Sequence, residues 1–524
     1  MQTGYSSTGT ATELGVKTAN VAAFVAFGKV LSLVIGVVMF VVVARLLGPS
    51  NYGIYTLALG ASGLFSALAS FNITAYFNKY IPKLQNEGKR EEISTIITTG
   101  ILILLIIGIV LSAAGVLLSG AIATYIFHNP SETAAIQIAM IGIVFSLLYG
   151  ALYSVLVSFG DGKRASVAAL TNSSFQAFLS IILVLMGFGA VGAISGYVAG
   201  LFSGSAASLM LALKHAELKL KMQRFSAVAK ELLSFSLPVT GANIIGSMVS
   251  NFSVILLGSV VVSSVVGSYG VALKMGSLVD VITGSISIVL IPMFAAALAG
   301  SRLKERVSEL LNYSIYFGLL LAVPLVIYII SFAGNIVNIF FTSSYVGAPA
   351  YIMLLGFGLL IGLVGSYAAS LVISMGNVNK YLKYSFAIGV AELLSLVLLV
   401  PSFGAYGVII SLYFVGGILS TYLYSSFLKK EIEFKLTKKI YMLIVANVIL
   451  FAILLFIRSA LGMLSDTFQM LVGAAIVIFV YPVIVPKLKA ADQKDFNIIK
   501  KLSSGIPIFG LWFRNIVEYA EKFM

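Results

Sequence analysis

The sequence contains no cysteine and few charged residues, and each shortage excludes a class of protein. Without cysteine the chain has neither disulfide bonds nor thiol chemistry. Only 10% of its 524 residues are charged, whereas soluble domains average about 25%. The chain therefore lacks the polar residues needed to cover a water-exposed surface of its size. With 60% hydrophobic residues and a mean hydropathy of +1.06, it is predicted to lie mostly in lipid.

The apolar runs are long and hydrophobic on every side, as in residues 93–118. A membrane β-barrel would instead alternate apolar and polar side chains over segments of about ten residues. The predicted fold is therefore an all-α polytopic membrane protein, with spans of about 20 residues each. Fourteen spans are predicted, at 20–44, 53–77, 94–118, 134–159, 166–187, 190–213, 232–258, 268–296, 311–333, 350–375, 384–401, 405–428, 440–458 and 469–486.

Basic residues are concentrated on one side of this predicted topology. Alternate connecting segments hold 29 of the 33 Lys and Arg residues, and the opposite loops hold only Arg45 and Arg458. Cytoplasmic loops of membrane proteins carry such an excess. We therefore expect a multi-pass protein of the cell membrane with both termini in the cytoplasm. The net charge of +14 then reflects topology rather than nucleic-acid binding.

Three short signatures recur along the chain in the same order, at offsets of 217, 216 and 215 residues. A nearly constant offset is typical of an internal duplication. Each copy would hold six spans, and because six is even, both copies enter the membrane in the same direction. The matched pairs are SNYGIYTLA (50–58) with GSYGVALKM (267–275), SVLVSFGDGK (154–163) with SLVISMGNVN (370–379), and FGAVG (188–192) with FGAYG (403–407).

The repeat predicts two six-helix lobes followed by a terminal helix pair. Two lobes that meet at a cleft are the usual architecture for alternating access in transporters. The predicted divisions are a cytoplasmic N-terminal segment (1–19), an N-lobe (20–213), a cytoplasmic linker (214–231), a C-lobe (232–428), the terminal pair (429–488) and a cytoplasmic amphipathic tail (489–524).

Polar residues inside the predicted spans are the candidates for lining that cleft, because such residues usually face protein or a water-filled cavity. The hydroxyls and amides of span 7 suit sugar hydroxyls, or they hold helices together. The two lysines either extend to the membrane surface or attract an anionic phosphate. No metal site or cofactor is predicted. The candidates are Lys29, Asn172, Gln176, Asn243, Ser247, Asn251, Lys274, Asp280 and Glu392.

The segment ARLLGPSNYGIYTLA (44–58) resembles the signature of the polysaccharide transporter family of the multidrug/oligosaccharidyl-lipid/polysaccharide (MOP) exporter superfamily. Members typically have an Ala-Arg-x-Leu-Gly-Pro-x-x-Tyr-Gly segment between helices 1 and 2. We expect Arg45 and the Gly48-Pro49 turn to shape this hairpin rather than to bind substrate. The matching residues are Ala44, Arg45, Leu47, Gly48, Pro49, Tyr52 and Gly53.

The resemblance implies a MOP flippase fold with fourteen helices. It also implies a flippase that moves a polyprenyl- or dolichyl-diphosphate-linked oligosaccharide from the cytoplasmic to the outer leaflet. Its partners would be that substrate, membrane lipids, H⁺ or Na⁺ as a coupling ion, and glycosyltransferases of the same pathway. Related lipid II flippases keep cationic residues in a cavity lined partly by helices 1, 2, 7 and 8, and Lys29 and Lys274 match them in location.

Two other functions are compatible with a chain of this kind. A cation-coupled multidrug antiporter of the same superfamily would share the fold, but such proteins often carry acidic residues in helix 1, and this span 1 has none. A polysaccharide polymerase or glycosyltransferase would need catalytic residues in a sizeable outer loop. The longest outer loops, 119–133 and 334–349, hold only His128 and Glu132 as such residues. We therefore expect a transporter rather than an enzyme.

Overall fold

The computed structural model describes residues 11–69, 72–215, 222–298, 303–432, 436–504 and 509–523, and these contain no β-strand. Their α-helices are α1 (Ala11–Leu68), α2 (Ile73–Asn86), α3 (Arg90–Ala121), α4 (Thr133–Ser158), α5 (Gly162–Leu183), α6 (Gly189–Ala212), α7 (Met222–Val260), α8 (Ser263–Leu298), α9 (Leu303–Ser331), α10 (Ala333–Ile336), α11 (Ala348–Ser374), α12 (Val378–Phe403), α13 (Ala405–Ile409), α14 (Gly416–Ile432), α15 (Lys438–Ala460), α16 (Asp466–Ala475), α17 (Tyr481–Lys487), α18 (Gln493–Ser504) and α19 (Phe509–Glu521).

Gly48 interrupts α1, where the sequence predicts a turn between two spans. Its φ of 67° and ψ of 174° are not helical, and φ in this range favours glycine. The rings of Phe40 and Tyr52 lie 6.1 Å apart, although twelve residues of straight helix would extend about 18 Å. The chain therefore folds back on itself at Gly48.

Ten segments of the described residues are long and apolar enough to cross a membrane. Two of them, Phe27–Leu68 and Gly162–Ala212, are interrupted by glycines with positive φ, so each covers a pair of predicted spans. Span 2 is shorter than predicted, because its helix ends at Leu68. Asn72, in a left-handed conformation, then precedes α2. All-α multi-pass architecture is confirmed, whereas the number of fourteen spans stays a prediction.

Backbone conformations repeat at the offset found in the sequence. Gly189 (φ 54°, ψ −137°) and Gly404 (φ 54°, ψ −128°) lie in the matched FGAVG and FGAYG signatures. Two π-helical turns, Ile122–Ile126 and Val337–Phe341, are also 215 residues apart. Such irregular features rarely coincide by chance, so they support a duplicated fold.

The described chain divides into two compact units, Met1–Gly267 and Ser268–Met524. In the first unit, α7 packs on α1, α2 and α3. This helix begins at Met222, ten residues before the predicted start of span 7. The lobe limits predicted from the repeat stay a prediction.

The second unit buries its core between α9, α11, α14 and the terminal helices. The two helices of the tail, α18 and α19, pack against each other, and Lys500 pairs with Glu521 at 2.7 Å. Val517 and Ala520 of α19 are buried in the core of this unit. This part of the tail's apolar face therefore packs on its own chain rather than on a lipid surface.

Candidate functional site

The polar face predicted on span 7 lies on α7, in the first unit. Ser247 is exposed, and Asn251 is half-buried and donates a 2.7 Å hydrogen bond to the Ser247 carbonyl. The Asn251 side chain also touches Gly63 of α1, where an added Cβ would overlap its Oδ1 atom. Asn251 therefore fills a helix contact, while Ser247 is free to face a ligand. The side chain of Asn243 lies outside the described residues.

Asn172 and Gln176 lie on α5 where it packs against α6. A Cβ at Gly200 would come within 2.6 Å of the Gln176 Cβ, and one at Gly204 within 2.7 Å of the Asn172 Cβ. Because the contact moves back four residues on α5 as it advances four on α6, the helices are antiparallel. Gly200 and Gly204 of α6 thus make room for both polar residues, and Asn172 is buried. Whether either residue also meets substrate stays a prediction.

Lys29 is exposed on the first half of α1. The preceding residue, Gly28, touches Ser166 of α5, whose hydroxyl donates a 2.6 Å hydrogen bond to the Phe24 carbonyl. Successive helical residues diverge by about 100°, so Lys29 points away from this contact. Its amine forms no ion pair with a described residue.

Lys274 is exposed on α8, in the second unit. Its carbonyl accepts a 2.7 Å hydrogen bond from Ser277, and its amine forms no ion pair with a described residue. The side chain of Asp280, six residues further along, lies outside the described residues. Lys274 is thus an available cation, but no carboxylate partner for it is described.

Glu392 of α12 lines a cavity of about 290 Å³ inside the second unit. Its carboxylate lies against Gly416, where an added Cβ would overlap Oε1. It forms no ion pair and no side-chain hydrogen bond with a described residue. The other polar lining residues are Ser366, Tyr413 and Ser420, and the remaining wall includes Gly358, Gly362, Gly416 and Gly417.

This cavity holds residues that the sequence reasoning missed. Ser366 and Ser420 each donate to a carbonyl of their own helix, at 2.8 and 3.0 Å, so their lone pairs stay available to a ligand. The glycines at 358 and 362, one helical turn apart, and the Gly416-Gly417 pair were a usable signal, because small residues let helices approach a buried side chain closely.

A metal centre is not among the described features. No group of three or more His, Asp or Glu side chains capable of holding a metal ion is found in the part of the chain that the structure describes. The polar sites described above consist of hydroxyls, amides and single charges.

Comparisons with known proteins agree with this architecture. The chain is similar to a lipid II flippase, MurJ, in an inward closed conformation, with 16% identity, a TM-score of 0.69, and coverage of 88% of this chain and 97% of that one. It is also similar to a multidrug resistance MATE family transporter of the MOP superfamily in an inward-facing conformation, with 15% identity, a TM-score of 0.65 and coverage of 77% and 94%.

A MOP superfamily transporter from Pyrococcus furiosus matches with 16% identity, a TM-score of 0.50 and coverage of 80% of this chain and 95% of that one. No curated protein sequence matches the chain. The family model described as polysaccharide biosynthesis protein matches residues 42–350, beginning just before the Ala44–Gly53 signature. Because that match covers more than half of the sequence, the chain belongs to the polysaccharide biosynthesis protein family, and its fold is that of the MOP superfamily transporters.

Proposed function

We propose that the protein is a flippase that moves a polyprenyl- or dolichyl-diphosphate-linked oligosaccharide from the cytoplasmic to the outer leaflet of the cell membrane. The observation that carries the proposal is the polysaccharide biosynthesis family match on a chain with a transporter fold. A sugar-diphosphate head cannot cross about 30 Å of hydrocarbon unaided. A transporter in such a pathway supplies the missing step.

The polar residues of the spans suit such a head group. Lys29 and Lys274 are exposed and form no ion pair with a described residue, so each amine can meet a diphosphate oxygen. Ser247 offers an exposed hydroxyl that can replace water around sugar hydroxyls. Asn243 and Asn251 stay candidates beside it on the polar face predicted for span 7. The lipid tail would stay in the bilayer while two lobes, 20–213 and 232–428, alternate between the two faces.

We also propose Glu392 as the group that binds the coupling ion, H⁺ or Na⁺. A carboxylate inside a membrane is costly unless it is paired, hydrated or protonated. The cavity beside Glu392 has room for water or a cation, and the hydroxyls of Ser366 and Ser420 lie on its wall.

A MATE-like multidrug antiporter is the second candidate, because MATE transporters share the fold. Membership of a polysaccharide family favours a glycan substrate over an organic cation. An enzyme of polysaccharide assembly is the weaker alternative, since family and fold both indicate a transporter.

The test is leaflet exchange in liposomes that contain the purified protein and a fluorescent lipid-linked oligosaccharide. We expect exchange with the wild type and a loss of most of it in Lys29→Ala and Lys274→Ala. Lys83→Ala, which removes an exposed lysine of α2, is the matched control and should retain full exchange. Exchange that survives both changes would refute the cationic site but leave the flippase intact. Efflux of an organic cation without lipid exchange would favour the antiporter.

A further inference from the structure

Helix α7 is attached to the rest of the first unit near both of its ends. Glu231, near its start, and Val260, its last residue, are separated by about 44 Å of helix. That length exceeds the roughly 30 Å hydrocarbon core of a bilayer. With span 7 predicted at 232–258, the two attachments are expected on opposite sides of the membrane. We call the one near Glu231 the inner contact and the one beyond Val260 the outer contact.

The inner contact joins α7 to α2 through a buried tyrosine. The Tyr76 hydroxyl donates a 2.8 Å hydrogen bond to Oε1 of Glu231. The Tyr76 ring stacks on Tyr80 at 4.2 Å and meets Phe235 of α7 edge-on at 5.6 Å. Lys79 lies over the Phe235 ring at 4.6 Å. One hydrogen bond and an aromatic cluster thus close this end of the helix.

The outer contact joins the start of α8 to two other segments. Ser263 donates a 2.8 Å hydrogen bond to Oε1 of Glu132, which also accepts from Asn129 at 3.1 Å. Beside this bond, Gly53 of α1 and Gly267 of α8 cross at backbone distance. An added Cβ on Gly53 would overlap the Ser263 carbonyl and lie 3.1 Å from the Gly267 nitrogen.

Glu132 makes the closed outer contact costly to maintain. The residue is 1% exposed, and its Oε2 atom is buried without a hydrogen-bond partner. A buried carboxylate oxygen that has lost its water without gaining a partner carries a desolvation penalty. Separation of the two segments would return water to Oε2. The desolvation penalty therefore offsets part of the free energy gained when the outer contact closes. Such a balance suits a contact that opens in every transport cycle.

We propose that the Tyr76–Glu231 and Glu132–Ser263 hydrogen bonds are the inner and outer latches of α7, and that each half of the transport cycle releases one while the other holds. This inference deepens the proposed function and rests on it. The residues named need not touch substrate, because they act by setting which end of α7 is closed.

The test uses the natural absence of cysteine. A single cysteine in place of Val254, which packs on Gly60 of α1, reports on the outer half of α7. One in place of Ala229, which packs on the core of the first unit, reports on the inner half. The rate of maleimide labelling in membranes is measured for each reporter.

Ser263→Ala should speed labelling at position 254 about threefold to tenfold, the range set by one lost hydrogen bond, without speeding labelling at position 229. Tyr76→Phe should do the reverse. Glu132→Gln removes the buried charge and should slow labelling at position 254. The controls are Ser259→Ala, whose hydroxyl bonds only within its own helix, and Tyr80→Phe, which keeps the ring beside Tyr76.

The latch proposal is overturned if Ser263→Ala and Tyr76→Phe each speed both reporters, since that is general loosening, or if they speed neither. Leaflet exchange measured on the same proteins separates the two proposals. If labelling behaves as expected but the protein shows no leaflet exchange, the latch proposal stands and the proposed lipid-linked oligosaccharide substrate is refuted. Exchange with unaltered labelling would retain the flippase and refute the latches.

Discussion

At the scale of single residues, Gly189 and Gly404 hold backbone conformations that other residues rarely adopt. Their φ of 54° combines with ψ of −137° and −128°, a region used almost only by glycine. Around Gly189 there is room for a side chain, because the nearest atom to an added Cβ is 3.5 Å away. The need for glycine here is therefore conformational rather than steric.

We expect Gly189→Ala to lower the free energy of unfolding by about 1–3 kcal/mol, the usual cost of such a conformation in a residue with a Cβ. Thermal unfolding in detergent measures the change. Gly246→Ala is the matched control, because it lies inside α7 with no atom within 4 Å of an added Cβ. Equal stability of the two variants would contradict the conformational argument.

Asp161 caps α5 and joins it to the end of α6. It accepts hydrogen bonds from the Arg164 backbone at 3.0 Å and from the His215 ring at 2.9 Å. Burial alone would raise the pKa of Asp161, but these donors and the Arg164 guanidinium hold it below its ordinary 3.8. A carboxyl group whose pKa is lowered by folding stabilises the protein above its unfolded-state pKa. This stabilisation is lost as the pH falls through the folded-state pKa.

Asp161→Asn should therefore unfold at a lower temperature than the wild type at neutral pH, and the difference should shrink below about pH 4. Asparagine still caps a helix, so the change isolates the charge. Melting temperatures across the pH range, with Asp161→Ala as a variant that also loses the cap, provide the measurement. A difference that does not vary with pH would argue against the role of the charge.

At the scale of elements, Lys439 adds an ionic attachment to the apolar packing that holds the tail on the membrane-spanning region. Lys439 of α15 binds Asp492 at 2.6 Å and Asp495 at 2.8 Å, just before and within α18. The hydrogen bond to this lysine is the main cause that lowers the pKa of Asp492 to about 2. Because Asp495 is only 1% exposed, loss of the cation would leave a buried carboxylate unpaired.

Lys439→Met should accordingly loosen the docking of α18, whose start holds both carboxylates. Limited digestion with trypsin should cut near Lys494 and Lys500 several times faster than in the wild type, because undocked helices expose their backbone. Lys438→Met changes the exposed neighbour and should leave the rate unaltered. If the two variants are cut equally, other contacts hold the tail.

At the scale of the whole molecule, the sequence predicts the features that are set by patterns along the chain. The Gly48 turn, the helical class and the repeat follow from turn chemistry, hydropathy and spacing. The surroundings of Glu392 do not, because the cavity walls come from several helices of the second unit that are far apart in the chain. For the same reason the contact of Asn172 with Gly204 appears only in three dimensions.

Coupling of transport to an ion gradient involves the whole molecule, and we expect Glu392 to bind the coupling ion. Glu392→Gln should retain leaflet exchange down a substrate gradient but lose its response to an imposed H⁺ or Na⁺ gradient, since the amide cannot take up either ion as a carboxylate does. Glu431→Gln, at an exposed pair with Lys380, is the control. A gradient response that survives Glu392→Gln would exclude this residue as the coupling group.

The positive-φ glycines at 189 and 404, and those at 160 and 376, give the chain a built-in comparison of its own. At both pairs the two predicted copies place a glycine with positive φ at the matched position, among different neighbours. Substitutions tolerated at one member of a pair are therefore expected to be tolerated at the other. A pair whose two members tolerate different substitutions would mark a position where the two halves have different functions.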